Sequence, residues 1–199
     1  MGIGLYDTEI SRGSLLPLES KRIAALLLTH PDRAAWINAI KVENILQKDT
    51  VTTASRQAKL IRKRLETLDV SAWQLITERD SEVANQLLFA GAIKDSKILG
   101  DFMCNVYATS QRRMESVITS ANWEDFLTEC AHQDLTVSDW NESTKSKVLN
   151  GIVRVLVEAK YLADRKTMKI SPRSLHPVVR RYLHDRNENF VLDCLDRAK

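Results

Sequence analysis

The sequence predicts an all-α protein with two lobes, and three observations lead to this fold class. Glycine and proline are scarce, with 6 and 4 among 199 residues, while Leu, Ala, Lys, Arg and Glu are abundant. Apolar residues recur at three- and four-residue intervals, which is the period of an amphipathic helix. No stretch of useful length alternates apolar and polar residues as a half-buried strand would. We therefore expect helices joined by short connections.

The first lobe is predicted to cover residues 1–112 and to contain a helix-turn-helix element at about residues 32–68. Within this element, a turn of about four residues connects one helix to the next. Thr52 or Thr53 can cap the second of these helices, because a hydroxyl oxygen accepts hydrogen bonds from the amides of a first turn. Helix, short turn, helix is the spacing of DNA-binding helix-turn-helix motifs. Residues 71–112 are expected to be the helical support beneath it.

The second helix of this element, residues 52–68, is amphipathic and strongly basic. Its apolar face comprises Ala54, Ala58, Ile61, Leu65 and Leu68. Arg56, Lys59 and Lys63 lie almost directly opposite on a helical wheel, so the helix can bury one face and present the other to a polyanion. Arg and Gln side chains here can reach base edges, whereas Thr and Lys side chains hold phosphates. The candidate DNA contacts are Thr52, Thr53, Ser55, Arg56, Gln57, Lys59, Arg62 and Lys63.

The second lobe, residues 113–199, is predicted to be a winged-helix-like domain with at most a short β-hairpin. A second helix-turn-helix occupies about residues 122–160, where Asn122 caps one helix and Ser143 or Thr144 opens the other. Two short apolar pieces then flank a basic turn at about residues 161–171, which is typical of a wing. The candidate DNA contacts in this lobe are Ser143, Thr144, Lys145, Lys147, Arg154, Arg165, Lys166 and Lys169.

The charge distribution supports a polyanionic ligand more than the net charge of +3 does. Residues 1–68 carry 11 basic and 7 acidic groups, and residues 143–199 carry 13 basic and 6 acidic groups. Residues 115–142 carry seven acidic groups and neither Lys nor Arg. Surfaces of opposite sign steer a polyanion onto particular faces of a protein.

The motifs of common catalytic and metal sites are missing from the sequence. The 4 histidines are dispersed, and no HExxH, GxSxG or Walker motif occurs. The 3 cysteines are scattered, which suits buried thiols in a reducing cytoplasm. The longest apolar run, residues 23–28, is too short to span a membrane. We expect a cytoplasmic protein that is not an enzyme and needs no metal or cofactor.

Alternative interpretations stay open at this point. One basic helix alone is more often a solvated surface than a ligand site, and the presence of two such helices favours DNA. The acidic and basic faces are also compatible with an adaptor that binds proteins or RNA within an assembly. Four tryptophans occupy apolar helical positions or helix connections and are interpreted as core anchors: Trp36, Trp73, Trp123 and Trp140.

A set of positions spread over nearly the whole chain also carries a family resemblance. These positions are Tyr6, the run ISRGSLL at 10–16, Glu19, Ser20, the run ENILQ at 43–47, Thr53, Ala54, Ile61, Arg64, Leu65, Leu68, Asp101, Phe102, Ser143, Thr144, Lys145, Leu149, Val153, Leu156, Ala159 and Leu162. In this pattern the sequence resembles the BrxA family of BREX (bacteriophage exclusion) systems. The matching positions are structural rather than catalytic.

The resemblance implies a helical cytoplasmic protein with helix-turn-helix elements that binds double-stranded DNA. It also implies action beside a methyltransferase and ATPases, in a system that blocks phage replication while host DNA is methylated. The family has no defined catalytic residues to transfer. We therefore expect a monomeric, non-enzymatic component that contacts mainly the DNA backbone and binds no membrane, with other BREX subunits as partners.

Overall fold

The structure, a computed structural model, describes residues 4–196 and is all-α, which confirms the predicted fold class. Within that part of the chain, β-structure is limited to isolated bridges. The chain divides into two compact units. One unit is Leu15–Asp95, and the other combines residues 4–14 with residues 96–196.

The unit Leu15–Asp95 is built around one buried helix. Its α-helices are α1 (Pro17–Leu28), α2 (Arg33–Ile37), α3 (Val51–Leu65), α4 (Val70–Glu78) and α5 (Ser81–Asp95). Helix α5 is buried without interruption from Gln86 to Ile93, as expected for a helix that is apolar on every side. Helices α1, α3 and α4 each pack against α5.

The connection before α3 is longer than the predicted turn of four residues. Helix α2 continues as a π-helical segment that ends at Val42, so residues 43–50 separate it from α3. The Asn44 side chain holds this connection, because it accepts from the Lys48 amide at 3.0 Å and donates to the Lys48 carbonyl at 2.9 Å. The predicted caps Thr52 and Thr53 are wrong: the N-cap is Thr50, whose hydroxyl accepts from the Thr53 amide at 3.2 Å.

The second unit has its own aromatic core. Its helices are the 3₁₀ helix Glu9–Arg12, α6 (Lys97–Phe102), the π-helical segment Met103–Tyr107, α7 (Ala108–Arg112), α8 (Ser120–Gln133), the 3₁₀ helix Leu135–Val137, α9 (Glu142–Glu158), α10 (Pro177–Asp185) and α11 (Asn189–Asp196). Phe102 packs against Trp123 and Phe126, with ring centroids 6.1 and 5.4 Å apart. Tyr107 and Tyr161 form a second pair at 5.5 Å.

Two helix starts in this unit also differ from the sequence prediction. Thr119 caps α8, and Asn122 is its reciprocal partner in a capping box instead of the cap itself. Asn141 caps α9 by accepting from the Thr144 amide at 2.8 Å, so the helix begins before Ser143. Several Ser, Thr and Asn residues stand side by side at both places, and each is a competent cap, so composition alone does not select one.

The chain passes from one unit to the other at Ser14–Leu15 and at Asp95–Ser96. The sequence analysis predicted a single boundary at residue 112. Residues 96–112 belong to the second unit because α6 packs against α11, and the π-helical segment Met103–Tyr107 packs against α8 and α11. The N-terminal segment also packs with the C-terminal part of the chain. The Tyr6 amide donates to Asp134 at 2.9 Å, and its hydroxyl donates to Asp101 at 2.7 Å. The 3₁₀ helix Glu9–Arg12 lies against α9.

Candidate nucleic-acid interface

Helix α3 has the amphipathic arrangement that its sequence predicts. Ala54, Ala58 and Ile61 are each at most 2% exposed, and they form the face toward the core. Arg56 and Lys59 lie on the outside and are exposed. Neither of these two side chains has an ion pair within residues 4–196, so both charges are available to an anionic ligand.

The other two predicted cations of α3 have protein partners. The Arg62 guanidinium lies 4.7 Å from the centre of the Trp36 ring, and its Nε is 2.6 Å from the Glu66 carboxylate. The Lys63 ammonium is 2.8 Å from Asp95, a carboxylate that is only 5% exposed. Because these pairs already neutralise much of the charge, we expect Arg62 and Lys63 to contribute less to anion binding than Arg56 and Lys59 do.

The four predicted polar contacts on α3 differ in exposure. Thr52 is exposed, whereas Thr53, Ser55 and Gln57 are half-buried. Thr53 accepts a hydrogen bond from the Thr50 hydroxyl at 2.9 Å. The Oε1 atom of Gln57 is buried and has no hydrogen-bond partner in the described part of the chain. Thr52 is therefore the polar side chain best placed for a first contact from outside.

Arg64 shows how the fold divides a run of basic residues. The sequence has three consecutive basic residues, from Arg62 to Arg64. Arg64 is 6% exposed, and its Nε lies 3.5 Å from the Asp95 carboxylate. This arginine is a structural residue on the buried side of α3, and its role is evident only from the position of Asp95 at the end of α5.

Helix α9 presents a similar but less densely charged surface. Ser143 and Lys147 are exposed, and Thr144 and Arg154 are half-buried. Lys145 lies 2.8 Å from the Glu142 carboxylate, so its charge is partly neutralised. The opposite face of α9 is buried, from Val148 through Leu156.

A short antiparallel arrangement follows α9 and carries the remaining predicted contacts. Leu162 bridges Ile170, and Lys169 bridges Val117, which precedes α8. Between these bridges, Asp164 accepts from the amides of Lys166 and Thr167, each at 2.8 Å. The Thr167 hydroxyl and these amides lower the pKa of Asp164, since they stabilise its charged form. The exposed cations of this turn are Arg165, Lys166 and Lys169.

The predicted contacts therefore fall into two sets, one in each unit. The α3 set lies within Leu15–Asp95, and the α9 set lies with the basic turn in the other unit. The sequence analysis did not predict a role for Lys41, which is exposed and lines the same pocket as Lys59. It also assigned Trp36 to the core, although that side chain is only half-buried. The signal for Lys41 was weak, because it lies before the irregular connection and outside the periodic pattern of α3.

Residues 4–196 contain no group of three or more His, Cys, Asp or Glu side chains placed to hold a metal ion. Among the helices of that part, none has the length and apolar character needed to cross a membrane. Burial raises the pKa of the Cys130 thiol to about 11, so this cysteine is protonated at neutral pH.

Comparisons with known proteins identify the family. The BrxA family profile matches residues 4–187. BREX protein BrxA of Paramagnetospirillum magneticum is 37% identical over 190 residues, which are 96% of each chain. BREX protein BrxA of Escherichia coli O9:H4 (strain HS) is 32% identical over 184 residues, covering 92% of this chain and 86% of that protein. The crystal structure of an uncharacterized protein from Magnetospirillum magneticum has a TM-score of 0.87 and 36% identity, and the match covers 96% of this chain and 98% of that one. This chain belongs to the BrxA family.

Proposed function

We propose that this protein is a non-enzymatic, double-stranded DNA-binding component of a BREX bacteriophage-exclusion system. The observation that carries the proposal is the outer face of α3, where Arg56 and Lys59 are exposed and have no ion pair within the described residues. Unpaired surface cations on a rigid helix attract phosphates, and phosphate contacts supply most of the affinity of such interfaces.

The second unit supports the proposal through the order of its elements. A bridging residue, Val117, is followed by α8, by α9 and then by the Leu162–Ile170 bridge around a basic turn. This is the order of strand, helix, recognition helix and wing in winged-helix domains, in which the recognition helix enters the major groove. In this proposal α9 occupies the groove, and the turn with Arg165 and Lys166 touches the backbone.

The first test is a charge reversal on α3. Arg56→Glu combined with Lys59→Glu is expected to weaken duplex binding strongly, and the slope of log affinity against log salt should fall by about two. A gel-shift or fluorescence-anisotropy titration at several salt concentrations measures both quantities. The matched control is Lys21→Glu combined with Arg79→Glu, which makes the same change in net charge at exposed positions of the same unit.

The outcome separates the candidate functions. A larger loss for the α3 variant than for the control supports DNA binding through α3. Equal affinities for the α3 variant and the unmodified protein would refute it. Tighter binding of RNA than of duplex DNA would favour an RNA adaptor. Lys147→Glu combined with Arg165→Glu tests the second unit in the same way.

The family name also suggests partners. Relatives carry the name BREX protein BrxA, so we propose that other subunits of a BREX system, including its methyltransferase and ATPases, contact this protein. We expect the isolated protein to be a monomer of about the chain mass of 22.6 kDa in light scattering.

A further inference from the structure

A pocket of about 300 Å³ opens between α3 and the helix formed by α2 and its π-helical continuation. Both walls belong to the unit Leu15–Asp95. The apolar wall consists of Trp36, Ile37 and Ile40. Trp36 is half-buried and Ile37 is 39% exposed, so part of this wall is open to solvent. The volume is at the lower end of the range for small-molecule sites.

The polar wall of the pocket is cationic. It is formed by Lys41, Ser55, Lys59 and Arg62, and no carboxylate of the described residues lines it. Lys41 and Lys59 are exposed and have no ion pair in the described part of the chain. Glu66, which bonds to Arg62, does not line the pocket. The pocket therefore combines an apolar surface with a concentration of positive charge.

The position of Arg62 adds a geometric feature. Its guanidinium lies over the Trp36 ring, 4.7 Å from the ring centre, and the bond to Glu66 fixes it there. Indole rings and guanidinium planes are both surfaces on which nucleobases stack. An inorganic anion would satisfy the cations but leave the apolar wall uncovered, whereas a ligand with a flat ring and a phosphate covers both.

We propose that this pocket binds a single nucleotide through its phosphate group and its base. Lys41 and Lys59 hold the phosphate, and the Trp36–Arg62 pair supplies the stacking surface for the base. The same chemistry is offered by a free mononucleotide and by the 5′-phosphorylated end of a DNA strand. The inference rests on the proposed function only in that Lys59 and Arg62 also belong to the candidate DNA surface.

The test is calorimetric titration of the full chain with deoxyadenosine 5′-monophosphate, compared with deoxyadenosine and with inorganic phosphate. The nucleotide is expected to bind at least about tenfold more tightly than either fragment, because only it engages both walls. Lys41→Gln should weaken nucleotide binding by about fivefold or more, as expected for loss of one charged contact at a partly exposed site. Equal binding of nucleotide and fragments, or unchanged affinity in Lys41→Gln, would overturn the proposal.

A matched variant separates this site from the DNA surface. Arg56→Gln removes an equal charge from α3 but does not line the pocket. It should weaken binding of a duplex closed by hairpins at both ends while nucleotide affinity stays the same. Lys41→Gln should show the reverse pattern. If the unmodified protein does not bind the hairpin-closed duplex but binds the nucleotide in a Lys41-dependent way, the proposed function is refuted and the pocket is supported.

The two sources of the nucleotide are distinguished by competition. A duplex with 5′-phosphorylated ends that displaces the mononucleotide better than the same duplex with 5′-hydroxyl ends identifies the strand end as the ligand. Equal competition by the two duplexes identifies the free mononucleotide. Both outcomes support the site when the displacement or binding depends on Lys41.

Discussion

Replacement of Gly151 by alanine is expected to destabilise the second unit, although alanine is the better helix former. Gly151 lies in the middle of α9, where the backbone of the N-terminal 3₁₀ helix crosses it. A Cβ atom at this position would lie 2.5 Å from the Ile10 carbonyl oxygen and 3.0 Å from the Ser11 Cα. Both neighbours are backbone atoms, so the segment itself has to move.

The size of the loss in the free energy of unfolding depends on the side chains that the N-terminal segment buries. Alanine gains about 1 kcal/mol over glycine in a helix interior. Displacing the segment exposes Ile10 and Tyr6, which are 1% and 4% exposed. Each such side chain contributes about 1.5–3 kcal/mol by its burial. Partial displacement therefore costs more than the helix propensity returns, and we expect a net loss of about 2–4 kcal/mol in the free energy of unfolding.

Urea denaturation followed by circular dichroism measures this loss. Asn150→Ala is the matched control, because Asn150 is the exposed neighbour on the same helix and its change should stay within about 0.5 kcal/mol. Trypsin cleavage after Arg12 reports directly on release of the segment and should accelerate in Gly151→Ala. A variant that gains about 1 kcal/mol, as helix propensity alone would give, refutes the packing argument.

Three further predictions concern local contacts. Thr50→Ala should cost about 1 kcal/mol in urea denaturation through loss of the α3 cap, whereas Thr52→Ala should cost less than half of that; equal losses would contradict the assignment of the cap. Asp164→Ala should accelerate amide hydrogen exchange at Thr167 without loss of helix content. Unchanged exchange would show that the hydrogen bond from the Thr167 amide to the Asp164 carboxylate does not stabilise the turn. Burial raises the pKa of Tyr107 above its ordinary value of 10.0. The contribution of Tyr107 to the free energy of unfolding is therefore complete below pH 10 and is lost as the pH rises toward the folded-state pKa. Urea midpoints should thus fall from pH 9 to pH 11, and less so in Tyr107→Phe; an identical fall in both proteins would contradict the attribution.

The candidate site was predictable where the signal is local. The three- and four-residue spacing of Ala54, Ala58 and Ile61 predicts the buried face of α3, and Arg56 and Lys59 opposite it are exposed as expected. Helix periodicity depends only on the geometry of one helix, so it can be read from the sequence. The family resemblance was also carried by the sequence, and the comparisons confirm it.

Charge pairing was not predictable in the same way. Asp95 lies about thirty residues beyond Lys63 in the chain, yet it pairs with Lys63 at 2.8 Å and with the buried Arg64 at 3.5 Å. These contacts exist because α5 packs against α3. A helical wheel does not distinguish among the cations on the outer side of the helix. The packing of the neighbouring elements decides which of them form ion pairs and which do not.

The sequence by itself determined that the chain is helical, that α3 is basic on one face, and which family it belongs to. The first two properties follow from composition and from short-range periodicity, whereas the family follows from the resemblance carried by positions spread over nearly the whole chain. Only the tertiary structure decided that Glu9–Arg12 packs on α9, that Asp95 pairs with Lys63, and that Lys41 shares a pocket with Lys59. Each of these results depends on how separate segments meet, and the free energy of such long-range packing is not encoded in any local pattern.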